Sequence, residues 1–358
     1  MLRRVLEAGP RLSRGVVGLV TAASALLYIA VFANAGAVLP EFIFRDADKI
    51  QAQMEGSSTY DGSSFDAVAG FYGLFGPTLL NLFIIGIGVL FIRTVLSGAN
   101  RFGLCAAALL LSMPCVFFNL FVASKDTLVV LMSLLIVWSA GRRRTWIAPM
   151  TAIVLYGGYA FLVRPYFVLI IAIACGIAVF RHVPLRWKIL AVMVVAGGLA
   201  SAPATVYFAL LHPRDMAVDY LVYQSPFGAR TSFYNPLEPT SFFAFCFDYL
   251  YASARLNLAP LFSPGPKEAV MQLFVLLAVA PALRTVLQRR DVQQPVAYQL
   301  CACLVLAHVS VSMLFEPDLG SYVRHLSSVA LFSMALLHSR RMDKAAIRRA
   351  VSTTPVSA

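Results

Sequence analysis

Residues 103–122 read GLCAAALLLSMPCVFFNLFV, twenty positions without one charged side chain. At 1.5 Å per residue an α-helix of that length covers about 30 Å, the thickness of the hydrocarbon core of a bilayer. Apolar stretches of the same character recur near 16–39, 77–96, 126–140, 146–163, 165–180, 189–211, 268–287, 295–315 and 325–338. The 358-residue chain is 59% hydrophobic and only 13% charged, about half the charged fraction of a soluble domain. In hydrocarbon every backbone polar group must find its partner inside the element, so only helices and closed barrels cross. Long continuous runs, rather than short alternating strands, point to helices. The expected fold is all-α, a polytopic transmembrane helical bundle of about ten spans forming one integral membrane domain over 1–338.

A formal net charge of +12 raises the question of a nucleic-acid partner. The Arg and Lys residues, however, gather in short clusters: RRR at 142–144, RHVPLRWK at 181–188, RTVLQRRD at 284–291 and SRRMDKAAIRR at 339–349. With the N-terminus in the cytoplasm, every one of these clusters falls on the cytoplasmic face, as the positive-inside rule requires. No nucleic-acid partner is expected. The C-terminus is then cytoplasmic too, and 339–358 is expected to be a disordered basic tail. The opening MLRRVLEAGPRLSRG has the look of a secretory signal, and ANA at 33–35 that of a cleavage site. The apolar run continues to Leu39, so the segment is expected to be the first span. Cys105, Cys115, Cys175, Cys301 and Cys303 lie in apolar runs, and Cys246 lies in a loop. Neither a disulfide framework nor a zinc-type spacing is expected.

This orientation leaves two long outer loops. The first, about 40–76, carries Glu41, Asp46, Asp48, Glu55, Asp61 and Asp66 against Arg45 and Lys49. The second, about 212–267, holds Arg214, Asp215, Asp219, Arg230, Asp248 and Arg255 with the aromatic run SFFAFCFDYLYAS at 241–253. Three further charged turns face the same side: SKD at 124–126, VRP at 163–165 and FEPDLGSYVRHLSS at 315–328. Cations are depleted on the outer side, so Lys125, Arg164 and Arg324 are the informative residues there. Arg holds two phosphate oxygens at once, and helix N-termini add free N–H groups, so these three are candidate ligands of a diphosphate. Asp126, Glu316, Asp318, Arg214 and Arg230 are supporting candidates. Asp46, Asp48 or His325 is the candidate general base. Each also has a plainer reading, as a helix-end residue, a snorkelling cation or half of an ion pair. The cofactor is left open: no metal-ligand set is identified, and a divalent cation against a phosphate is possible chemistry for Asp46 and Asp48.

RDADKI (45–50), MPCVFFNLFVASKDTL (113–128), FLVRPYFVLI (161–170) and GSYVRHLSSVALF (320–332) together make the chain resemble multi-spanning bacterial membrane glycosyltransferases of the GT-C-like class, including O-antigen and exopolysaccharide polymerase-like proteins. The resemblance implies that Arg164 and Arg324 hold a polyprenyl diphosphate and that Asp46 or Asp48 is base or metal ligand. It also implies an inner-membrane location, an active face outside the cytoplasm and, as partners, a polyprenyl-diphosphate-linked saccharide and other polysaccharide-assembly proteins. Ala47 separates Asp46 from Asp48, whereas many enzymes of that class carry an adjacent acidic pair. The expected activity is glycosyl transfer or polymerisation from lipid-linked sugars. The alternatives are a transporter or flippase of a lipid-linked sugar or other anionic solute, and a non-catalytic assembly subunit.

Overall fold

The structure is a computed structural model describing residues 6, 8–142, 144–225, 230–288 and 295–338. Within them the chain is helical, joined by turns, with a single isolated bridge between Arg11 and Arg101. The helices are α1 (Arg14–Ala33), α2 (Arg45–Met54), α3 (Ser64–Tyr72), α4 (Pro77–Leu96), α5 (Phe102–Asn119), α6 (Lys125–Ala140) and α7 (Ile147–Leu162). They are followed by α8 (Phe167–His182), α9 (Leu185–Ala200), α10 (Ala204–Asp219), α11 (Phe242–Asn257), α12 (Pro266–Leu287), α13 (Val296–Phe315) and α14 (Leu319–Ser327). Residues 330–338 are helical again.

Among the described residues five helices, α1, α4, α5, α12 and α13, are long and apolar enough to cross a membrane, which is the mark of a membrane protein. The other expected spans are organised differently. The runs at 126–140, 146–163 and 165–180 form α6, α7 and α8, each of 16 residues, about 24 Å long and shorter than the hydrocarbon core. The run at 189–211 is not one straight helix: α9 and α10 meet at a bend of 90°. Pro203 sits at that break; it has no N–H to continue the helix and pushes the residue before it away from helical geometry. The run at 325–338 is divided by a turn at Ser328 and Val329. The basic tail 339–358 and Arg143 and Arg289 of the basic clusters lie outside the described residues.

Helix α13 is the centre of the bundle, packed against α8, α12, α10, α11 and α14. The periphery is apolar. Helix α9 buries none of its residues although it exposes Val192, Met193, Val194 and Val195, a surface suited to lipid. Trp138, Trp146 and Trp187, the only tryptophans of the chain, are all exposed and lie at the C-terminal end of α6 and the N-terminal ends of α7 and α9. Tryptophans at one level are the usual marker of a membrane–water interface. Helix α1 packs along α4, most closely where Tyr28 lies against Gly88, at which a Cβ would collide with its ring. Its hydroxyl donates to the carbonyls of Leu120 at 2.7 Å and Ile84 at 3.2 Å.

The segments 40–76 and 212–267, expected as outer loops, are largely helical. Helices α2 and α3 pack on each other over Ile50, Val68 and Tyr72, and α11 occupies the aromatic run. This folding of 41–72 brings Asp46 to the helix ends described next.

Candidate functional site

At one end of the bundle a cavity of about 800 Å³ opens between the N-terminal ends of α6 and α8 and the C-terminal ends of α7 and α13. Asp46, Lys125, Asp126, Arg164, Glu316, Arg324 and His325 all line it. The tryptophans, Arg142 just beyond α6 and the basic last turn of α8 lie at the opposite helix ends.

Local structure explains each placement. Ser124 and Thr127 form a reciprocal cap at the start of α6: the Ser124 hydroxyl accepts from the Thr127 N–H at 3.2 Å, and the Thr127 hydroxyl accepts from the Ser124 N–H at 3.1 Å. This satisfies two otherwise orphaned N–H groups and starts the helix at Lys125, with Asp126 in its first turn. The Thr127 hydroxyl also donates to the carbonyl of Asn119, tying the end of α5 to the start of α6. Asn119 donates in turn to the Arg324 carbonyl at 3.1 Å and the Ser327 hydroxyl at 3.0 Å. The cap of α6 and the residues of α14 are thus parts of one framework.

Asp126 is the hub. Its side chain is 1% exposed, and it accepts from Arg164 Nη1 at 2.8 Å and from Arg324 Nε at 3.0 Å, with His325 Nε2 at 3.7 Å. Arg324 also pairs with Asp46, and His325 Nδ1 is bonded to Glu316. Burial alone would raise the Asp46 carboxyl; the charges of Arg324 and Lys125 outweigh it and hold the group down at about 2. Lys125 is different. It is buried, its ammonium donates to the Ser64 hydroxyl at 3.2 Å and lies 3.5 Å from the centre of the Phe65 ring. Among the described residues it has no carboxylate within ion-pair distance.

The expected site residues therefore divide. Asp46, Lys125, Asp126, Arg164, Glu316, Arg324 and His325 converge on the cavity. Asp48 does not: two positions along α2 from Asp46, it points to the other side, is exposed, and does not line the cavity. Asp318 caps α14, accepting from the Ser321 N–H at 3.0 Å and hydroxyl at 2.9 Å; burial nevertheless pushes its carboxyl up. Arg214 is fully buried elsewhere, donating to Asn235 at 2.7 Å and to the Met313 carbonyl, with Phe233 beside it. Arg230 lies on the surface against Glu268 at 3.5 Å and the Pro264 carbonyl at 2.8 Å. Both are structural contacts outside the cavity.

The sequence reading missed His308. It lines the cavity from within α13, and its Nε2 is hydrogen-bonded to the Tyr156 hydroxyl at 2.8 Å. An ionisable residue inside an apolar span was the available signal. Ser64 and Phe65, which seat Lys125, come from the first outer segment, where only carboxylates had been weighed.

No group of three or more His, Cys, Asp or Glu side chains among the described residues is arranged to hold a metal ion. Asp46 and Asp126 instead accept from arginines. The residues present do not fit the divalent cation considered from sequence, and no step below passes through one. Compared with known proteins, the chain matches no family model, and no curated protein or solved structure shows significant similarity to it.

Proposed function

We propose that the protein transfers a glycosyl group from a polyprenyl-diphosphate-linked saccharide, in surface or exopolysaccharide synthesis, and that it does so on the extracytoplasmic face of a bacterial inner membrane. In this reading the chain crosses the membrane many times with both termini in the cytoplasm, so that the basic helix ends face inward and the cavity outward. One observation carries the reading: a buried ammonium without a carboxylate partner among the described residues and a carboxylate-backed imidazole line the same cavity.

In the reaction, the acceptor hydroxyl oxygen bonds to the anomeric carbon while the bond from that carbon to the diphosphate oxygen breaks. The diphosphate leaves with the electron pair. Lys125 is the cation free to meet the charge developing on it, and Arg164 and Arg324 flank that position. The proton of the acceptor passes to a base. His325 is the better placed candidate, because Glu316 fixes its ring through Nδ1 and leaves Nε2 on the side of Asp126. Asp46 is occupied with Arg324 and serves chiefly to hold that guanidinium.

Complementation of a deletion strain tests this. Lys125→Met and His325→Gln are expected to abolish long surface polymer, with lipid-linked single units accumulating outside the membrane and protein levels unchanged. Arg284→Gln, at the C-terminal end of α12, should behave as wild type. Unchanged glycan in both cavity variants would refute the proposal. One observation favours a second reading, transport of the same lipid-linked sugar: His308 places an ionisable group deep in α13. A transporter predicts that intermediates accumulate in the cytoplasmic leaflet, and that a cysteine at position 125 becomes reactive alternately from each side.

A further inference from the structure

Far from the cavity, Arg181 in the last turn of α8 is only 9% exposed, and its Nη1 is buried without a partner. Among the described residues its side chain makes neither a hydrogen bond nor an ion pair. A guanidinium cannot shed its charge, and leaving one buried and unpaired is strongly unfavourable. Such a group calls for an anion.

Beside it, helices α7, α8 and α13 enclose an apolar slot of about 270 Å³, walled by Ala152, Tyr156, Ile171, Ala174, Leu300 and Cys303. Arg181 does not itself line the slot, but its neighbour in the same last turn of α8, His182, forms part of the slot's wall. The slot mouth is at the helix ends that carry Trp146, Trp187 and the cations Arg186 and Lys188. These are the features of the interface where phospholipid headgroups reside. An anion beside an apolar slot at that depth describes an amphiphile, not a free ion.

We infer that this is a binding site for an anionic phospholipid, with its phosphate on Arg181 and an acyl chain in the slot between α7, α8 and α13. The lipid fills the space between three helices and supplies the charge that the chain lacks there. The site is separate from the cavity and does not depend on the function proposed above.

The test uses full-length protein purified in mild detergent and stripped of lipid. Phosphatidylglycerol is titrated, with binding counted by native mass spectrometry and stability followed by thermal unfolding. Inorganic phosphate and dioleoylglycerol serve as the isolated head and the isolated tail. Phosphatidylglycerol is expected to bind at one site and raise Tm by several degrees, while neither fragment does so. Arg181→Gln should weaken that binding about tenfold, the worth of one charge-assisted contact, and leave the lipid-free protein at least as stable as wild type. Ala152→Phe, which fills the slot and keeps Arg181, should weaken binding likewise. It tests the site independently if the first variant does not fold. Wild-type affinity in both variants would overturn the proposal. The full rise in Tm from inorganic phosphate alone would overturn it in favour of a free anion. A loss of lipid-free stability in Asp291→Asn that Arg181→Gln abolishes would place the anion on the chain itself.

Discussion

Asp126→Asn removes a charge and almost no volume, so it isolates the electrostatic role of the hub. In the native site one carboxylate, 1% exposed, neutralises parts of two guanidiniums, those of Arg164 at 2.8 Å and Arg324 at 3.0 Å. Arg164 is itself 11% exposed and has no second carboxylate at ion-pair distance among the described residues, whereas Arg324 retains Asp46. The substitution therefore strands one nearly buried cation completely and another in part. Removing one partner of a buried pair typically costs about 3–5 kcal/mol. For a chain of 358 residues, with about 2.1 cal/mol/K of unfolding entropy per residue, that corresponds to a fall in Tm of roughly 4–7 °C. Thermal unfolding of wild type, Asp126→Asn, Arg164→Gln and the double variant forms a cycle. If the pair carries the cost, Arg164→Gln should recover a large share of the loss in the Asp126→Asn background, with a coupling above about 1 kcal/mol. A Tm within 1 °C of wild type, or strict additivity, would refute the electrostatic account of the hub.

Acid should loosen the same site. Asp46 has its carboxyl lowered from the usual 3.8 to about 2, so its contribution is complete above pH 4 and is lost as pH falls through about 2. That difference is worth about 2 kcal/mol, and Asp46→Asn should flatten this acid limb in a plot of Tm against pH. Gly88→Ala should cost about 1–3 kcal/mol, because the new methyl collides with the Tyr28 ring. Gly88→Ala combined with Tyr28→Leu should recover most of it, which a denaturation series in detergent would detect.

Much of the architecture was readable from residue chemistry. The runs that became α4, α5, α12 and α13 were located to within a few residues, because long apolar stretches whose few charges fall at their ends admit little else. What periodicity misses is geometry at the breaks. The stretch at 189–211 is apolar throughout, and only Pro203 hinted that it turns through a right angle. The site was legible in part for a related reason. Cations at the ends of apolar runs, apart from the basic clusters, stand out individually, and Arg164, Arg324 and Lys125 do meet. Which carboxylate joins them is decided by helix phase: Asp46 and Asp48 look equivalent in RDADKI, and the 100° step per residue separates them. Arg214 and Arg230 show the converse, since a charge between apolar runs is as readily used to fasten its own segment. Nothing in a string of letters distinguishes Lys125, which lacks a carboxylate, from its two neighbours that have one.

The hub also has a chronology. Asp46 leaves the ribosome long before Asp126, Asp126 before Arg164, and Arg324 after all of them, 278 positions behind the carboxylate it pairs with. Until α14 arrives, Asp46 stands without its arginine and Asp126 has one of two. The framework of Asn119, whose amide reaches back from the end of α5 to α14, cannot close either. The charges of the early segments are thus a debt settled by the last described helix pair. A chain whose late helices fail to insert is left with exposed, unsatisfied acids where a finished one has a closed lock.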